Sequence, residues 1–408
     1  MFNRSFLRRR KVSNLPQSFI QYSAGAANDQ FGYSCALSSN GDTAIVGVPY
    51  DDIGAQSNAG SAVVFTRNKT TWTQDVALTN SSSLANDDFG FSVDLSSDGN
   101  TAIVGAPSDD IGALSNAGCA EVFTRSGGTW TRQAKLTDSS GASNDVFGYS
   151  VALSGDGNTA ICGAKFDSPS GASSGSAVVF TRSGGTWTQQ ASLTHSVGAA
   201  GANFGSSVDL SSDGNTAIVG TPNDSSVGSA NGSAVIFTRS GSTWTEQATL
   251  RNSSGASGDA LGTSVALSSD GNTAIAGAPS AAPGGLGTAG NAVVFTRSGA
   301  TWTQQAVLTY SSKSFFEQFG KSVSLSSDGN VLIIGAPGAP SGNNSGIAVM
   351  FVRNNGVWNQ QSVLSYLSGT LGDYLGVSVA LSADSNVAIA GAPGIGSDVG
   401  GAAIFYNH

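Results

Sequence analysis

Residues 89–107 read FGFSVDLSSDGNTAIVGAP, and close variants of this stretch recur along the whole chain. The copies begin at Phe31, Phe89, Phe147, Phe204, Leu261, Phe319 and Leu375, which are 58, 58, 57, 57, 58 and 56 residues apart. This period is too long for one coil of a β-solenoid and suits a unit of four short strands. Seven such units predict an all-β fold, a seven-bladed β-propeller of four-stranded antiparallel blades.

Each unit is expected to begin with a hairpin of strands A and B. In the second copy, the alternating run 92–97 and the apolar run 101–105 flank the pair Asp98-Gly99. Asp-Gly is typical of a two-residue type I′ turn between antiparallel strands. The near-continuous apolar character of strand B fits a strand covered on both faces by neighbouring blades.

A second hairpin, of strands C and D, is expected after a polar loop. Runs 120–125 and 130–137 flank Gly127-Gly128, which would place Arg125 opposite Trp130. The same spacing pairs an arginine with each of the six tryptophans of the chain. These pairs are predicted cross-strand cation–π contacts.

The two ends of the chain are predicted to share the seventh blade. The last unit stops without a strand D, while residues 17–27 align without gaps with residues 190–200, the end of a strand D and its following loop. We therefore expect a strand within residues 14–22 to complete blade seven and remove its free edge. This divides the chain into a basic arm, residues 1–13, and a propeller, residues 14–408.

Charge separates the arm from the propeller. The chain of 408 residues has 18 basic and 27 acidic residues, and five of the basic ones lie in the first eleven positions: Arg4, Arg8, Arg9, Arg10 and Lys11. A body with 13 basic residues against 27 acidic ones repels nucleic acid and anionic membranes, whereas the arm can attract either. The sequence has no apolar run long enough for a membrane span and no visible secretory signal peptide, although an Arg-rich, acid-free start is also typical of transit peptides.

The Phe-Gly that opens each unit and the Gly-Ala-Pro that follows strand B resemble the two ends of the FG-GAP repeat. This repeat builds the propeller of integrin α subunits and many bacterial and viral proteins. The resemblance spans residues 14–408 and implies a location on an extracellular surface or virion. It also implies a ligand-binding face made by the B-to-C and D-to-A loops, here named the loop face. Calcium often binds the opposite face, made by the A-to-B hairpins and here named the hairpin face.

Calcium is the one cofactor that the resemblance suggests. The family's calcium loop resembles D-x-[DN]-x-D-G-x-x-D, which wraps several oxygens around a hard cation. Two copies keep part of this set, with Asp94 and Asp98 in one and Asp209 and Asp213 in the other. Their last carboxylate position holds alanine, so a plain Asp-Gly turn and a calcium site both remain open.

The loop face offers two groups of candidate ligand-binding residues. Acidic residues gather in the first three blades: Asp29, Asp51, Asp52, Asp87, Asp88, Asp109, Asp110 and Asp145. They suit a cation or a basic partner, or they are solvated loop charges. Aromatic residues gather around blades six and seven: Tyr310, Phe315, Phe316, Tyr366 and Tyr374. They suit carbohydrate stacking or a protein contact, and equally packing between blades.

Catalytic residues are scarce, so the sequence predicts no enzyme. The two histidines, His195 and His408, form no recognisable triad or metal spacing, and Cys35, Cys119 and Cys162 occupy different repeat positions as small buried substitutes. The leading hypothesis is a non-enzymatic recognition or adhesion scaffold that binds a protein or glycan through the loop face. The alternative is a structural subunit of a larger assembly, such as a homo-oligomer, a virion or a surface layer, anchored by its basic arm. Nucleic acid binding by the arm is a special case of this alternative.

Overall fold

The structure is a computed structural model and describes residues 17–80, 82, 84–226, 231–340, 344–366 and 369–406. It contains seven four-stranded antiparallel sheets, in which strands A to D run outward from a central channel. The predicted seven-bladed propeller is therefore confirmed.

The strands of the seven blades have the following bounds. Blade one has β2 (Cys35–Leu37), β3 (Thr43–Val48), β4 (Ser61–Asn68) and β5 (Thr71–Leu78). Blade two has β6 (Ser92–Leu95), β7 (Thr101–Ala106), β8 (Cys119–Ser126) and β9 (Thr129–Leu136). Blade three has β10 (Ser150–Leu153), β11 (Thr159–Ala164), β12 (Ser176–Ser183) and β13 (Thr186–Leu193). Blade four has β14 (Ser207–Leu210), β15 (Thr216–Thr221), β16 (Ser233–Ser240) and β17 (Thr243–Leu250).

The remaining blades follow the same plan. Blade five has β18 (Ser264–Leu267), β19 (Thr273–Ala278), β20 (Asn291–Ser298) and β21 (Thr301–Leu308). Blade six has β22 (Ser322–Leu325), β23 (Val331–Ala336), β24 (Ile347–Asn354) and β25 (Val357–Leu364). Blade seven has β26 (Val379–Leu381), β27 (Val387–Ala392), β28 (Gly401–Tyr406) and β1 (Gln17–Ile20). The described residues also include a 3-10 turn (Pro283–Gly285) and a four-residue helix, α1 (Ile395–Asp398), and contain no helix that could span a membrane.

The hydrophobic core consists of seven similar clusters between neighbouring blades. Strand B contributes fully buried aliphatic residues on both faces, as its apolar run predicts. The phenylalanine of the Phe-Gly pair meets the strand C phenylalanine of its own blade in a T-shaped contact. In blade two, the Phe89 and Phe123 rings are 6.2 Å apart at 75°. The most recurrent apolar residues of the sequence are thus the ones that hold the blades together.

Two rings of hydrogen bonds surround the central channel. Near the loop face, the serine that opens strand A donates its hydroxyl to a glycine carbonyl of the next blade, as Ser207 does to Gly262 at 2.8 Å. All seven blades repeat this contact, including Ser378 to Gly32 across the closure. On the hairpin face, seven backbone N–H groups donate around a closed circle: Ser39, Ser97, Gly155, Ser212, Ser269, Ser327 and Ala383. The two rings fix the spacing of the blades at both ends of the channel.

The N-terminal strand closes the ring as predicted. β1 pairs antiparallel with β28, with Gln17 opposite Phe405 and Ile20 opposite Ala402. Ile20 is buried in the same cluster as residues of blades one and seven. The edge of β28 is therefore covered by a strand from the other end of the chain.

The A-to-B turn differs from its prediction. Gly99 has a φ of 67°, but Asp98 lacks the positive φ that a type I′ turn requires, so that prediction is wrong. Four residues, 97–100, form the loop, with the N–H of Gly99 donating to the carbonyl of Ser96 at 2.8 Å. The Asp98 carboxylate explains this choice, because it accepts hydrogen bonds from the Ser96 hydroxyl (2.6 Å) and the Asn100 N–H (2.9 Å) and stabilises the longer loop.

The C-to-D hairpin follows its prediction. Gly127 and Gly128 have φ values of 56° and 83°, as in a type I′ turn, and Arg125 lies opposite Trp130. In all six arginine–tryptophan pairs the guanidinium carbon lies 5.2–5.9 Å from the indole centroid. The predicted cation–π contacts are confirmed.

A glutamine in the preceding blade completes most of these pairs. Gln305 in β21 accepts hydrogen bonds from the Trp358 indole N–H (2.8 Å) and from Arg353 (3.2 Å) in blade six. Replacing this glutamine with leucine (Gln305→Leu) leaves both donors without their acceptor. We expect the variant to lose about 1–3 kcal/mol of unfolding free energy, measured by urea denaturation.

The matched control is Gln361→Leu, at the same position of blade six. Gln361 is exposed, and the described part of blade seven carries no tryptophan to use it. This control should change the unfolding free energy by no more than about 0.5 kcal/mol. Equal losses in the two variants would show that the hydrogen bonds from Trp358 and Arg353 to Gln305 do not contribute to the unfolding free energy.

Candidate functional site

Five of the aspartates predicted on the loop face brace the loops themselves. They are Asp29, Asp51, Asp87, Asp109 and Asp145, and all five are buried. Asp87 accepts a hydrogen bond from the backbone N–H of Leu84 (2.7 Å), and Asp51 accepts one from the Ser61 hydroxyl (2.6 Å). Burial raises the pKa of Asp51 and of Asp87 to about 6. Ligand contact with these carboxylates would require breaking loop hydrogen bonds, so their geometry favours a structural role over the predicted one.

Asp109 shows this bracing role most fully. Its carboxylate accepts a hydrogen bond from the Cys119 thiol (2.8 Å) and forms an ion pair with Lys135 (2.5 Å). Cys119 stands where blade one has Ser61, so a thiol replaces a hydroxyl at the same contact. Cys119 is buried, as predicted for a small substitute.

The second aspartate of each loop pair is more accessible. Asp52 and Asp110 are exposed, and each accepts one backbone N–H, from Asn58 (2.9 Å) and Asn116 (2.8 Å) respectively. Asp88 is half-buried and accepts the Ser108 hydroxyl at 2.7 Å. These three carboxylates form an acidic rim on blades one and two, and a role for them in ligand binding stays a prediction.

The aromatic residues predicted near blades six and seven divide into two kinds. Phe315, Phe316 and Tyr374 are 48%, 65% and 41% exposed on the loop face. Tyr366 is half-buried and stacks on Phe19 of β1, with ring centroids 4.6 Å apart. Tyr310 is half-buried and packs against the hydrophobic cluster between blades five and six. Tyr366 therefore takes part in closing the propeller, whereas Phe315, Phe316 and Tyr374 remain candidates for contact with a partner.

The structure brings together an aromatic row that the sequence reasoning missed. Tyr33, Phe91 and Tyr149 follow the Phe-Gly pairs of blades one to three and line the loop-face mouth of the channel. Their neighbouring centroids are 4.9 Å and 4.8 Å apart, and Tyr50 extends the row at 6.2 Å from Tyr33. All four rings are half-buried. The signal lay in the third residue of each repeat, which is aromatic in three consecutive blades and polar or aliphatic in the other four.

Lys165 joins this row to a cleft in blade three. Its ammonium nitrogen lies 3.5 Å from the Tyr149 ring centroid and 4.7 Å from that of Phe166. Beyond Phe166 opens a cleft of about 710 Å³ between the D-to-A loop before blade three and the B-to-C loop of that blade. Its walls carry serines, Asn144, Asp145 and Asp167. The aromatic row, Lys165 and the cleft form one continuous surface over blades one to three.

The predicted calcium ligands are engaged within the fold. Asp98 and Asp213 bond inside their hairpins, each accepting a serine hydroxyl at 2.6 Å. Asp94 and Asp209 instead line the central channel and accept backbone N–H groups of the following blade at 2.7 Å. Among the described residues, no group of three or more His, Cys, Asp or Glu side chains suits a metal ion. The arrangement does not fit the calcium loop that the resemblance implies, and calcium binding here stays a prediction without structural support.

Asp94 and Asp209, the two aspartates that line the channel, should make the stability of the protein depend on pH. Burial raises the pKa of Asp94 to about 6 and that of Asp209 to about 7, and the Asp94 charge adds to the effect on Asp209. The folded state therefore holds these protons to higher pH than the unfolded chain. Their contribution to the unfolding free energy is highest below about pH 4 and falls as the pH rises through 6 to 7. We expect a loss of roughly 3–7 kcal/mol between pH 4 and pH 8, since each pKa unit corresponds to about 1.4 kcal/mol.

Replacing both channel aspartates with asparagine tests this dependence by urea unfolding at each pH. The Asp94→Asn/Asp209→Asn variant should lose less stability over this range than the unmodified protein. The loss that remains should come from groups such as Asp51 and Asp87, whose pKa values burial also raises. Asp270→Asn on the hairpin face is the control, because hydrogen bonds from Ser268 and Asn272 outweigh burial and lower the pKa of Asp270. Asp270 therefore titrates below this pH range. The Asp270→Asn variant should show the same dependence of unfolding free energy on pH as the unmodified protein. If the unfolding free energy of the double variant depended on pH as steeply as that of the unmodified protein, Asp94 and Asp209 would not be the source of the dependence.

The five basic residues of the arm cannot be placed relative to the propeller. Arg4, Arg8, Arg9, Arg10 and Lys11 lie outside the residues that the structure describes. Their predicted role as a partner-binding arm stays a prediction.

The comparisons with known proteins identify the repeat. The FG-GAP repeat family matches six segments, residues 20–65, 72–123, 130–180, 187–237, 244–295 and 302–351, which together cover well over half of the chain. Most of these segments run from strand D of one blade to strand C of the next. No curated protein matches the chain. The family's propeller is typically a non-enzymatic fold that is consistent with binding. On its sequence and its seven blades, the chain belongs to the FG-GAP repeat family.

Proposed function

We propose that this protein is a non-enzymatic recognition scaffold that binds a protein or glycan through the loop face of blades one to three. The observation that carries the proposal is the aromatic row at the channel mouth. Its half-buried rings lie at the surface, whereas the core phenylalanines Phe31, Phe89 and Phe147 are at most 1% exposed. Amphipathic aromatic side chains in such a position supply large contact areas at a small entropic cost.

The scaffold beneath the row favours binding. Tyr33, Phe91 and Tyr149 are each followed in sequence by the serine that donates to the next blade, and this inter-blade hydrogen bond repeats in all seven blades. A ligand would therefore meet a surface that is largely formed before binding, which reduces the entropic cost of association. The acidic rim beside the row, together with the net charge of -9, favours neutral or basic partners over anionic ones.

A second aromatic patch adds area on the other side of the ring. Phe315, Phe316, Leu371 and Tyr374 are all more than 40% exposed on loops of blades six and seven. Their exposure suits an additional contact with a large partner. The patch lies on the same face as the row, so one extended ligand can reach both.

The test is the variant Phe91→Ala. Phe91 stands between Tyr33 and Tyr149, so its removal breaks both ring contacts of the row. A partner is first identified by crosslinking the full chain on extracellular material and by glycan array. The affinity of that partner for the variant should be at least tenfold weaker, measured by surface plasmon resonance.

The control variant is Val357→Ala, which removes a 60% exposed side chain from the C-to-D turn on the hairpin face. It should leave the affinity unchanged. Undiminished binding by Phe91→Ala, with unaltered thermal stability, would refute the role of the row.

The alternative, a subunit of a larger assembly, rests on a different observation. Five of the chain's 18 basic residues lie in the first eleven positions, ahead of an acidic propeller. If this arm anchors an assembly, deleting residues 1–11 should convert a native oligomer into monomers in analytical ultracentrifugation. An oligomer that survives the deletion would argue against the alternative.

A further inference from the structure

We infer that the cleft of blade three binds a neutral saccharide, with Phe166 as the stacking surface and Asp167 as the principal hydrogen-bond acceptor. This inference rests on the proposed recognition function and names the class of ligand that one part of the site takes. The cleft volume of about 710 Å³ lies within the roughly 300–1,000 Å³ typical of small-molecule sites. Three features separate this cleft from the equivalent loops of other blades.

The first feature is a change in the repeat itself. Six copies have proline after strand B, but blade three has Lys165, followed by Phe166. The Lys165 ammonium is held over the Tyr149 ring, and Phe166 is 41% exposed at the cleft wall. The equivalent of Phe166 in blade two is Ser108, which instead donates to Asp88. Blade three therefore presents an aromatic face at the cleft where blade two presents a hydroxyl used by its own loops, and where the aromatic residue of blade one, Tyr50, packs against Tyr33.

The second feature is the Asp167 carboxylate, which does not make the hydrogen bond that the equivalent aspartates make in other blades. The aspartate two residues after the proline position accepts a hydrogen bond from the first residue of strand C in three blades. These contacts are Asp51 with Ser61 (2.6 Å), Asp109 with Cys119 (2.8 Å) and Asp224 with Ser233 (2.7 Å). In blade three, Asp167 accepts only the N–H of Ser168 (2.6 Å), and the buried Ser176 hydroxyl has no hydrogen-bond partner in the described structure. Asp167 lines the cleft instead.

Backbone position does not explain this difference. The carbonyl of Asp167 accepts the N–H of Gly175 (2.8 Å), just as the carbonyl of Asp51 accepts that of Gly60 (2.9 Å). The loop therefore keeps the common path while the side chain leaves the common contact. Leaving a buried hydroxyl unpaired costs stability, and a ligand that uses the Asp167 carboxylate offers a physical reason for this arrangement.

The third feature is the chemistry of the remaining wall. Asn144 accepts the side-chain N–H of Asn116 (3.2 Å) through its oxygen, which leaves its own amide nitrogen to donate to a ligand. Serine hydroxyls at 140, 143, 168 and 173 add groups that can donate or accept. A sugar ring has one apolar C–H face and a rim of hydroxyls, which matches one aromatic ring bordered by donors and acceptors. The negative charges of Asp145 and Asp167 disfavour an anionic sugar. The nearby Lys165 does not offset them in the cleft, because its ammonium group lies over the Tyr149 ring.

The experiment applies the full chain to a glycan array that holds neutral, sialylated and sulfated oligosaccharides. We expect binding to neutral glycans and little binding to anionic ones. Phe166→Ala and Asp167→Asn should each weaken the neutral-glycan affinity at least tenfold, measured by calorimetric titration. Phe166→Trp should stay within threefold of the unmodified protein, because it keeps an aromatic face.

Val197→Ala is the matched control, since Val197 is a 57% exposed apolar residue in the next D-to-A loop. It should bind like the unmodified protein, and all variants should melt at similar temperatures. Absence of glycan binding, binding confined to anionic glycans, or neutral-glycan binding that neither Phe166→Ala nor Asp167→Asn weakens would each overturn the inference. A protein partner whose binding depends on Phe91 but not on Phe166 would also overturn it, while leaving the recognition function intact.

Discussion

Gly220→Ala should destabilise the propeller by about 3 kcal/mol or more, although it adds a single methyl group. Gly220 lies in β15, where strand B of blade four passes strand A of blade five. An ideal Cβ at this position would overlap the carbonyl oxygen of Gly262 and the hydroxyl of Ser207. Those two atoms form one of the inter-blade hydrogen bonds, at 2.8 Å. The methyl group would therefore push two blades apart and break their contact, which costs more than ordinary overpacking of a core.

The same close approach occurs in every blade. The equivalent glycines are Gly47, Gly105, Gly163, Gly277, Gly335 and Gly391, and a Cβ on each would overlap a glycine carbonyl of the next blade. Because the contact atom is backbone, no side-chain rotation can relieve the overlap. The glycine of the Gly-Ala-Pro motif is therefore explained by the distance between blades, not by an unusual backbone angle.

Urea denaturation of Gly220→Ala measures this effect, with Gly287→Ala as the control. Gly287 lies in a B-to-C loop, has no positive φ, and a Cβ there would meet only the Phe315 ring at 4.0 Å. The control should stay within about 1 kcal/mol of the unmodified protein or become slightly more stable. Gly220→Ala with the stability of the control would show that the blades can separate without cost.

The sequence was sufficient to predict what the copies have in common. The period, the strand order, the C-to-D turn and the Arg125–Trp130 pairing all follow from features that recur in every complete unit. Such recurrence reflects contacts that each blade makes with itself or with its neighbour. The A-to-B turn was the exception, because the side chain of Asp98 stabilises a longer loop that the Asp-Gly pair alone does not indicate.

The candidate site was less predictable because it is built from differences between copies. Tyr33, Phe91 and Tyr149 are separated by about one repeat each and meet only when the ring sets three blades side by side. Adjacent aspartates such as Asp51 and Asp52 look equivalent in sequence, yet one is buried and the other exposed. Lys165 is a single departure from the motif, and its meaning depends on the ring of Tyr149 that it reaches.

Deleting residues 1–20 should lower the melting temperature by about 10 °C. This deletion removes β1, which forms the outer strand of blade seven and pairs with β28 over four residues. It also removes the buried side chain of Ile20, the Phe19 ring that stacks on Tyr366, and the Ser18 hydroxyl bonded to Tyr406 (2.9 Å). Loss of these contacts should lower the unfolding free energy by several kcal/mol, and the edge of β28 becomes open to pairing with other chains.

Deleting residues 1–11 is the control, because it removes the five basic residues of the arm and keeps β1 intact. Differential scanning calorimetry of the two deletions separates the closing strand from the charged arm. The longer deletion should melt lower and aggregate sooner, whereas the shorter one should melt within about 2 °C of the full chain. Equal melting temperatures for the full chain and the longer deletion would mean that the inter-blade hydrogen bonds alone close the ring. The serine of blade seven, Ser378, donates to Gly32 at 2.9 Å, so those bonds cross the closure and would then carry it without β1.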